Sequence, residues 1–300
     1  MVDLLDHHYH NSTKQLKFKA MLKINYPVQE QREYEHYSIS PSGLENCSRQ
    51  LCYKYNNVEK TNIPPPENQA KMEMGTILHD WFTGLIEGVV EAEVLHEVEK
   101  WGFTWRYKID AVTSEMDDNF NEERVINEIK TVPAFSFKNF DTKLDTKSHL
   151  RQIQIYMLLE EVKHGRLIYL NRDNGKWLAW DLYLVDAEKL HFKILKNDNA
   201  NGSAIAGFQE YMPLDTILKK HQDISLAVDK DILLPRQFEM HCKMVNGELK
   251  EKFTSNGKQY KSNWQCSYCD WKDKCWNLRE FKESGEEFLA NYLNQYPLEK

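Results

Sequence analysis

Phe103-Thr104-Trp105-Arg106-Tyr107-Lys108-Ile109-Asp110-Ala111 and Arg124-Val125-Ile126-Asn127-Glu128-Ile129-Lys130-Thr131-Val132 are the two runs around which the chain is organised. In the first, Phe103, Trp105, Tyr107, Ile109 and Ala111 fall on every second residue, the period of a strand with one buried face. Arg106, Lys108 and Asp110 share the opposite face. The second run is also strand-like, and the same period places Glu128 and Lys130 on one face and Ile129 on the other. Trp101 to Val132 therefore reads as two short strands joined by an acidic loop. Paired as a hairpin, they bring Asp110, Glu128 and Lys130 to one edge of a sheet. Two carboxylates there suit a hard divalent cation held through oxygen. A lysine beside them can orient a water or stabilise charge developing on a phosphate. Solvated charges on an ordinary hairpin have the same composition, because Asp and Glu are mostly exposed residues, so the rest of the chain has to decide.

Three hundred residues suffice for one large domain or two modest ones with a real core. A hydrophobic fraction of 41% and a charged fraction of 28% are those of a globular protein in water. There is no run of apolar residues long enough for a membrane span. Met1-Val2-Asp3-Leu4-Leu5-Asp6-His7-His8 lacks the basic-then-apolar pattern of a secretory signal. The expected location is cytoplasmic, a host cytoplasm for a viral chain, with no membrane partner. A net charge of −7 argues against coating nucleic acid by bulk charge and leaves room for a local basic groove. Six cysteines in such a chain point to metal or redox chemistry before disulfides.

Residues 1–36 place Lys14, Lys17, Lys19 and Lys23 among apolar residues, as in a basic helix or an arm; His7, His8 and His10 read as a solvated terminal segment. The Ser38–Pro41–Ser42 cluster predicts a helix start capped by Ser40 or Ser42, with Leu44, Cys47, Leu51 and Tyr55 on one face. Pro64-Pro65-Pro66 predicts a stiff loop through Asn68. A helix over Lys71 to Val90 follows, with Met74, Ile77, Leu78, Trp81 and Leu85 as its buried stripe and His79 beside it. Glu91 to Glu99 alternates like a strand, and Ser114 to Glu123 reads as a solvated acidic turn. Pro133 to Thr146 interleaves Phe135, Phe137 and Phe140 with lysines, a pattern shared by single-strand nucleic-acid surfaces and partly buried loops. A helix over Lys147 to Lys163 puts Gln152 and Tyr156 on one face. Arg166–Arg172 and Lys176–Val185 read as a hairpin turning at Asp173-Asn174-Gly175. Helices are expected over Ala187–Lys196 and Ala204–Gln222, and the pattern weakens from Leu233 to Ser262.

The second strong signal is Cys266-Ser267-Tyr268-Cys269-Asp270-Trp271-Lys272-Asp273-Lys274-Cys275. Three thiols separated by two and then five residues form a compact ligand loop for zinc or an iron–sulfur cluster. The fourth ligand is sought first at Cys47, then at Cys52, then at Cys242. A ligand from the N-terminal region clamps the two ends of the chain together.

In order, the chain carries Cys47 with Arg49 and Tyr53; Gly75 and His79; Asp110; Glu128-Ile129-Lys130; Gln152-Ile153-Gln154-Ile155-Tyr156; and Cys266, Cys269 and Cys275. This set resembles the RecB-like branch of the PD-(D/E)xK nucleases, and within it the iron–sulfur-containing, CRISPR-associated exonucleases and their viral relatives. The resemblance spans Ser38 to Trp276. It implies an α/β, restriction-endonuclease-like fold, a mixed β-sheet flanked by helices, with a 4Fe-4S cluster on Cys47, Cys266, Cys269 and Cys275 tying the C-terminal loop to the N-terminal helix. It implies that Asp110, Glu128, the carbonyl of Ile129 and His79 hold Mg²⁺ or Mn²⁺. Lys130 would position the attacking water, and Gln152 and Tyr156 would support the lysine and the substrate strand. The chain departs from the family pattern in having Ile109, and not proline, before Asp110. The implied domains are an N-terminal extension (1–37), a nuclease domain (38–276) and a C-terminal helix (277–300).

The expected activity is metal-dependent hydrolysis of DNA from a free, single-stranded end, with a replication or recombination protein as a further partner. The alternative from another class is a DNA-binding recombination or repair accessory protein that keeps the fold without cutting. A third reading is a zinc-stapled scaffold whose carboxylates are surface charges.

Overall fold

The computed structural model describes residues 33–276, apart from 63–65, 118, 143, 145–146, 198–203, 239, 246–247 and 256. The readings made for His7, His8, His10 and the lysine-rich segment before Glu33, and for 277–300, lie outside the described residues. A 3-10 turn at Pro41–Gly43 precedes helix α1, Ser48–Tyr55. Helix α1 starts later than the Ser/Pro cluster predicts, and neither serine caps it. The hydroxyls of Ser40 and Ser42 bond each other at 2.9 Å, a local side-chain contact that competes with capping.

Helix α2, Pro66–Thr83, begins five residues before the expected Lys71. Pro66 stands at its first position, where a missing N–H is harmless. Of the expected buried stripe only Leu78 packs on the core: Met74, Ile77, Trp81 and Leu85 are 57%, 66%, 54% and 59% exposed. The helix seats instead through Phe82, with Leu78 one turn earlier, against Ile129, Ile168, Leu170 and Ala179. Two apolar stripes fit the helical period here, and only the one complementary to the sheet is used.

Strands β1 (Val89–Glu91), β2 (Leu95–Lys100), β3 (Phe103–Lys108), β4 (Ala111–Met116) and β5 (Glu122–Val132) follow. The first run of the sequence is cut in two. Trp101 and Gly102 both have positive φ, 54° and 77°, and close a tight two-residue turn that pairs β3 with β2. The partner of the second run is therefore β4, with Ala111 opposite Asn127, and not Phe103–Ala111. Asp110 sits between the two strands, at the entrance of β4.

Strand β5 is buried on both faces from Val125 to Ile129, as an interior strand must be. It pairs antiparallel with β4 and parallel with β6, His164–Asn171. A parallel pair needs a crossover, here made by α3, Ala134–Thr142, and α4, Lys147–Leu159. The aromatic–lysine stretch is thus largely helix rather than loop. Its first N–H, Ala134, is capped at 2.7 Å by Oδ2 of Asp173, a partner remote in sequence. Strand β7 (Trp177–Asp186) returns antiparallel to β6 through the expected turn, with Gly175 at φ 72°. Strand β8 (His191–Asn197) takes the place of the helix expected over 187–196, and strand β9 (Ala204–Tyr211) that of the first half of the helix expected over 204–222, whose second half is helical. Phe192 and Ile194, both fully buried, alternate with Lys193 against β7, a period-two pattern that outweighs helix propensity. Helix α5, Leu214–Asp229, follows, then two small hairpins, β10 (Lys243–Val245) with β11 (Glu248–Lys250) and β12 (Lys252–Ser255) with β13 (Lys258–Lys261). Two short helices, α6 (Trp264–Ser267) and α7 (Lys272–Trp276), carry the cysteines.

The main sheet has the order β1-β4-β5-β6-β7-β8-β9, antiparallel except at β5–β6. It is a large mixed sheet flanked by helices. Ile126, Leu167, Tyr169, Trp180 and Leu182 belong to the main core with Ile153 and Met157 of α4, while α2 covers the other face through Phe82. Gly165 of β6 lies under α4, where a Cβ would come 2.7 Å from Sδ of Met157 and 3.1 Å from Ile153. Among the described residues no helix is long and apolar enough to cross a membrane.

Replacing Gly165 by valine forces α4 away from the sheet. Gly165→Val is expected to cost about 1–3 kcal/mol, as overpacked cores do, read as a lower urea midpoint; an unchanged midpoint would contradict this packing.

Candidate functional site

The centre of the site is built on β5. Glu128 and Lys130, two residues apart, share the face turned to α4. Asp110, at the entrance of β4, accepts the N–H of Ile129 at 2.6 Å. Lys130 Nζ lies 2.5 Å from Oε1 of Glu128 and donates to Oε1 of Gln152 at 2.9 Å. Gln152 Nε2 in turn donates to the Tyr156 hydroxyl at 3.0 Å. Gln152 and Tyr156 are one turn apart on α4, so a single helix face holds both. Glu128, Lys130, Gln152 and Tyr156 form one chain of polar partners, and Asp110 is held beside it by the Ile129 N–H.

His79 reaches the same point from α2. Its Nε2 is 2.9 Å from Oδ2 of Asp110 and its Nδ1 is 3.7 Å from Oε1 of Glu93. Donor atoms of His79, Glu93 and Asp110 all lie within 4.8 Å of one another, a spacing that one cation can span. Glu93 was missed from sequence, where it is one charge in an alternating segment. It sits in the β1–β2 connection with φ 55°, its N–H bonded to the carbonyl of Ile109 at 3.0 Å. That bond pins it beside Asp110, and no local pattern announces it.

Glu128 is 1% exposed, and its Oε2 is a buried oxygen without a hydrogen-bond partner. An unpaired buried carboxylate oxygen is costly. Burial, and then the charge of Asp110, push the Glu128 carboxyl above its usual range, against the pull of Lys130 and His79. The hydrogen bond to Asp110 raises the His79 imidazole against the opposing effect of burial. Burial raises the Tyr156 hydroxyl, which keeps it a neutral hydrogen-bonding group. His149, close to Lys130, is pushed down to about 4 by burial and then by the lysine charge. It is a neutral imidazole within 2.8 Å of the Tyr169 hydroxyl. A donor set of carboxylates with one imidazole suits Mg²⁺ or Mn²⁺ better than a soft metal, and the orphaned Glu128 oxygen is an atom such an ion would satisfy.

A cleft of about 850 Å³ opens on this centre. Its walls include His79, Glu93 and Ile129, and four cationic side chains, Lys71, Lys108, Lys130 and Arg172. The chain is acidic overall, yet this cleft concentrates positive charge, as a phosphate-binding groove does.

The second candidate centre lies where the C-terminal cysteine loop meets residues 47–62. Thr61 and Asn62 donate their N–H groups to the carbonyl of Asp270 at 2.9 and 2.8 Å, and the Trp271 indole donates to the carbonyl of Val58 at 2.8 Å. Lys60 pairs with Asp270 at 2.9 Å, and Arg236 Nε donates to the carbonyl of Cys275 at 2.9 Å. The thiols of Cys266, Cys269 and Cys275 are all raised first by burial, Cys266 to about 12 and Cys269 to about 11, and the charge of Cys47 reaches each of them. Cys52 is raised first by burial, and Cys47 adds to it. Three thiols raised by burial and by neighbouring thiols, with Cys47 close to all of them, fit a centre that takes thiolates and lowers their pKa by metal charge.

No protein-family model and no curated protein matches the chain. Among solved structures the chain is similar to SSO0001, at 18% identity over 86% of this chain and 91% of that one, with a TM-score of 0.39. It is similar also to an alkaline exonuclease, LHK-Exo, from Laribacter hongkongensis, at 12% identity over 65% of this chain and 89% of that one, with a TM-score of 0.39. The complex of LHK-Exo with dAMP aligns with the same identity and coverage at a TM-score of 0.40.

A cation at Glu128 has to displace a proton held more tightly than on a solvated carboxyl, and one at His79 must displace a proton held by Asp110. Affinity for Mn²⁺ is therefore expected to rise with pH between about 5 and 8, above the usual carboxylate range. Glu128→Gln is expected to lower it at least about tenfold, the scale of lost coordination. Calorimetric titration with Mn²⁺ at several pH values checks both; a flat pH profile would remove the two groups from the metal site.

Proposed function

We propose that the chain is a metal-dependent deoxyribonuclease of the RecB-like PD-(D/E)xK type, with a restriction-endonuclease-like nuclease domain over 38–276, hydrolysing DNA from a free, single-stranded end. The observation that carries this reading is the Glu128 oxygen, buried without a partner beside Asp110 and beside Lys130, which itself lines a cleft with two further lysines and an arginine. Ordinary hairpin charges are solvated, and this one is not.

In this reading Asp110, Glu128, the Ile129 carbonyl and His79 hold Mg²⁺ or Mn²⁺. The ion supplies charge to the scissile phosphate and a bound water of lowered pKa. Lys130, held by Glu128 and Gln152, orients the attacking water and meets negative charge as it develops. Gln152 is fixed by its two bonds, oxygen toward Lys130 and nitrogen toward Tyr156, so the lysine cannot swing out of line. Lys71, Lys108 and Arg172 attract the phosphate backbone.

Cys47, Cys266, Cys269 and Cys275 hold a 4Fe-4S cluster with a structural role. Support comes from the two- and five-residue spacing of Cys266, Cys269 and Cys275 and from the closeness of Cys47, whose charge reaches all three.

End-labelled single-stranded and duplex DNA, with Mg²⁺ or Mn²⁺ and anaerobically purified protein, tests the activity. Lys130→Ala is expected to lower cleavage by about 10²–10³-fold, the scale of a lost transition-state contact, while DNA binding persists. Clear binding without cleavage by the wild type would assign an accessory protein instead. Cys269→Ala is expected to give a colourless, less stable protein, and unchanged iron content would refute that ligand.

A further inference from the structure

We propose that Trp177 is a nucleobase-stacking residue and Arg172 its neighbouring phosphate contact, together forming a subsite for unpaired nucleic acid beside the metal centre. The inference rests on the nuclease reading above and adds residues that the motif set does not contain.

The placement follows from strand register. Thr131 of β5, which lines the cleft one residue after Lys130, is paired with Leu170 of β6. Leu170 is paired in turn with Trp177 of β7. The three residues form one row across the sheet. Strands lie about 4.8 Å apart, so Trp177 stands about 10 Å from Thr131, within a nucleotide or two of the reacting centre. Directly opposed residues point to the same face. Leu170 packs against Phe82 of α2, and the Trp177 ring meets the Phe82 ring edge-on at 6.0 Å, so the indole is on the face that the cleft occupies. Gly75 of α2 confirms which face this is, since a Cβ there would lie 3.2 Å from Oγ1 of Thr131.

Trp177 is 44% exposed, whereas Trp105 and Trp180 are buried in the core. Phe82, itself 8% exposed, braces it from one edge. Arg172, in the turn between β6 and β7, lines the cleft, and its N–H bonds the carbonyl of Val132 at 3.0 Å, which fixes the turn to the end of β5. A partly exposed, braced indole on the sheet face that carries a basic cleft, one hairpin turn from a cation lining that cleft, has the chemistry of single-strand binding: rings take bases and cations take phosphates. A base inside a duplex is already stacked on its neighbours, so the subsite selects unpaired nucleotides at an end.

The test is binding of a fluorescent oligothymidylate and of an abasic oligomer of the same length, with Ca²⁺ in place of Mg²⁺ to prevent turnover. Wild-type protein is expected to bind the thymidylate about 5–150-fold more tightly, the range for one stacked base. Trp177→Ala is expected to lose that preference while its affinity for the abasic oligomer is unchanged, and Trp177→Phe to restore most of it. Arg172→Ala is expected to weaken both oligomers alike and to flatten the salt dependence by about 0.7 in slope. A Trp177→Ala variant that still prefers bases, or wild-type protein that binds both oligomers equally, would overturn the subsite and leave the nuclease reading standing. Wild-type protein that binds neither oligomer would overturn both.

Discussion

A carboxylate in the interior strand of a seven-stranded sheet is the constraint to which the rest of the site answers. Glu128 is shielded by α4 on its own face and flanked by β4 and β6, so water cannot stabilise its charge. One oxygen is compensated by Lys130, and the other has no hydrogen-bond partner. Lys130 in turn needs an acceptor to stay in place, and Gln152 is that acceptor. Gln152 then needs a partner for its amide nitrogen, which Tyr156 supplies. Each group is present because its neighbour would otherwise be unsatisfied.

The cysteine centre plays the corresponding part at the far ends of the described chain. Backbone bonds from Thr61 and Asn62 to Asp270, and from the Trp271 indole to Val58, join segments more than two hundred residues apart in sequence. Stacking of Trp271 on Tyr53 and the reach of Arg236 to Cys275 add to the same junction. Closing so long a loop removes much of the freedom of the unfolded chain.

The sequence made the core of the site legible and left its surroundings obscure. Period two alone puts Glu128 beside Lys130, and helical spacing alone puts Gln152 beside Tyr156, because both relations are local. Asp110 was placed near them through the wrong strand: the Trp101-Gly102 turn had already committed β3 to β2. The α2 stripe was read from a spacing that two faces satisfy, and the choice between them belongs to the sheet. Local pattern predicts helices over 187–196 and 204–222, although pairing with β7 and β8 makes 191–197 and 204–211 strands. Glu93 was not singled out at all, since only its bond to Ile109 in the folded chain brings it to His79 and Asp110. What sequence conveys well is the relation of residues within one element, and what it conveys poorly is which element lies next to it.

The parallel pair of the main sheet, β5 with β6, has a bearing on how the site is put together. Asp110 and Glu128 belong to one antiparallel hairpin and meet by closing a short loop. The partner of Lys130 comes from α4, inside the crossover that a parallel pair requires, and is seated only when β6 has docked. Non-local pairings of this kind are slow to form. The acidic pair needs only the closing of a short loop, while the lysine gains its contact with Gln152 only once the crossover helix is packed on the sheet. The meeting of the two carboxylates is a local event, and the fixing of the lysine between them and α4 is a non-local one.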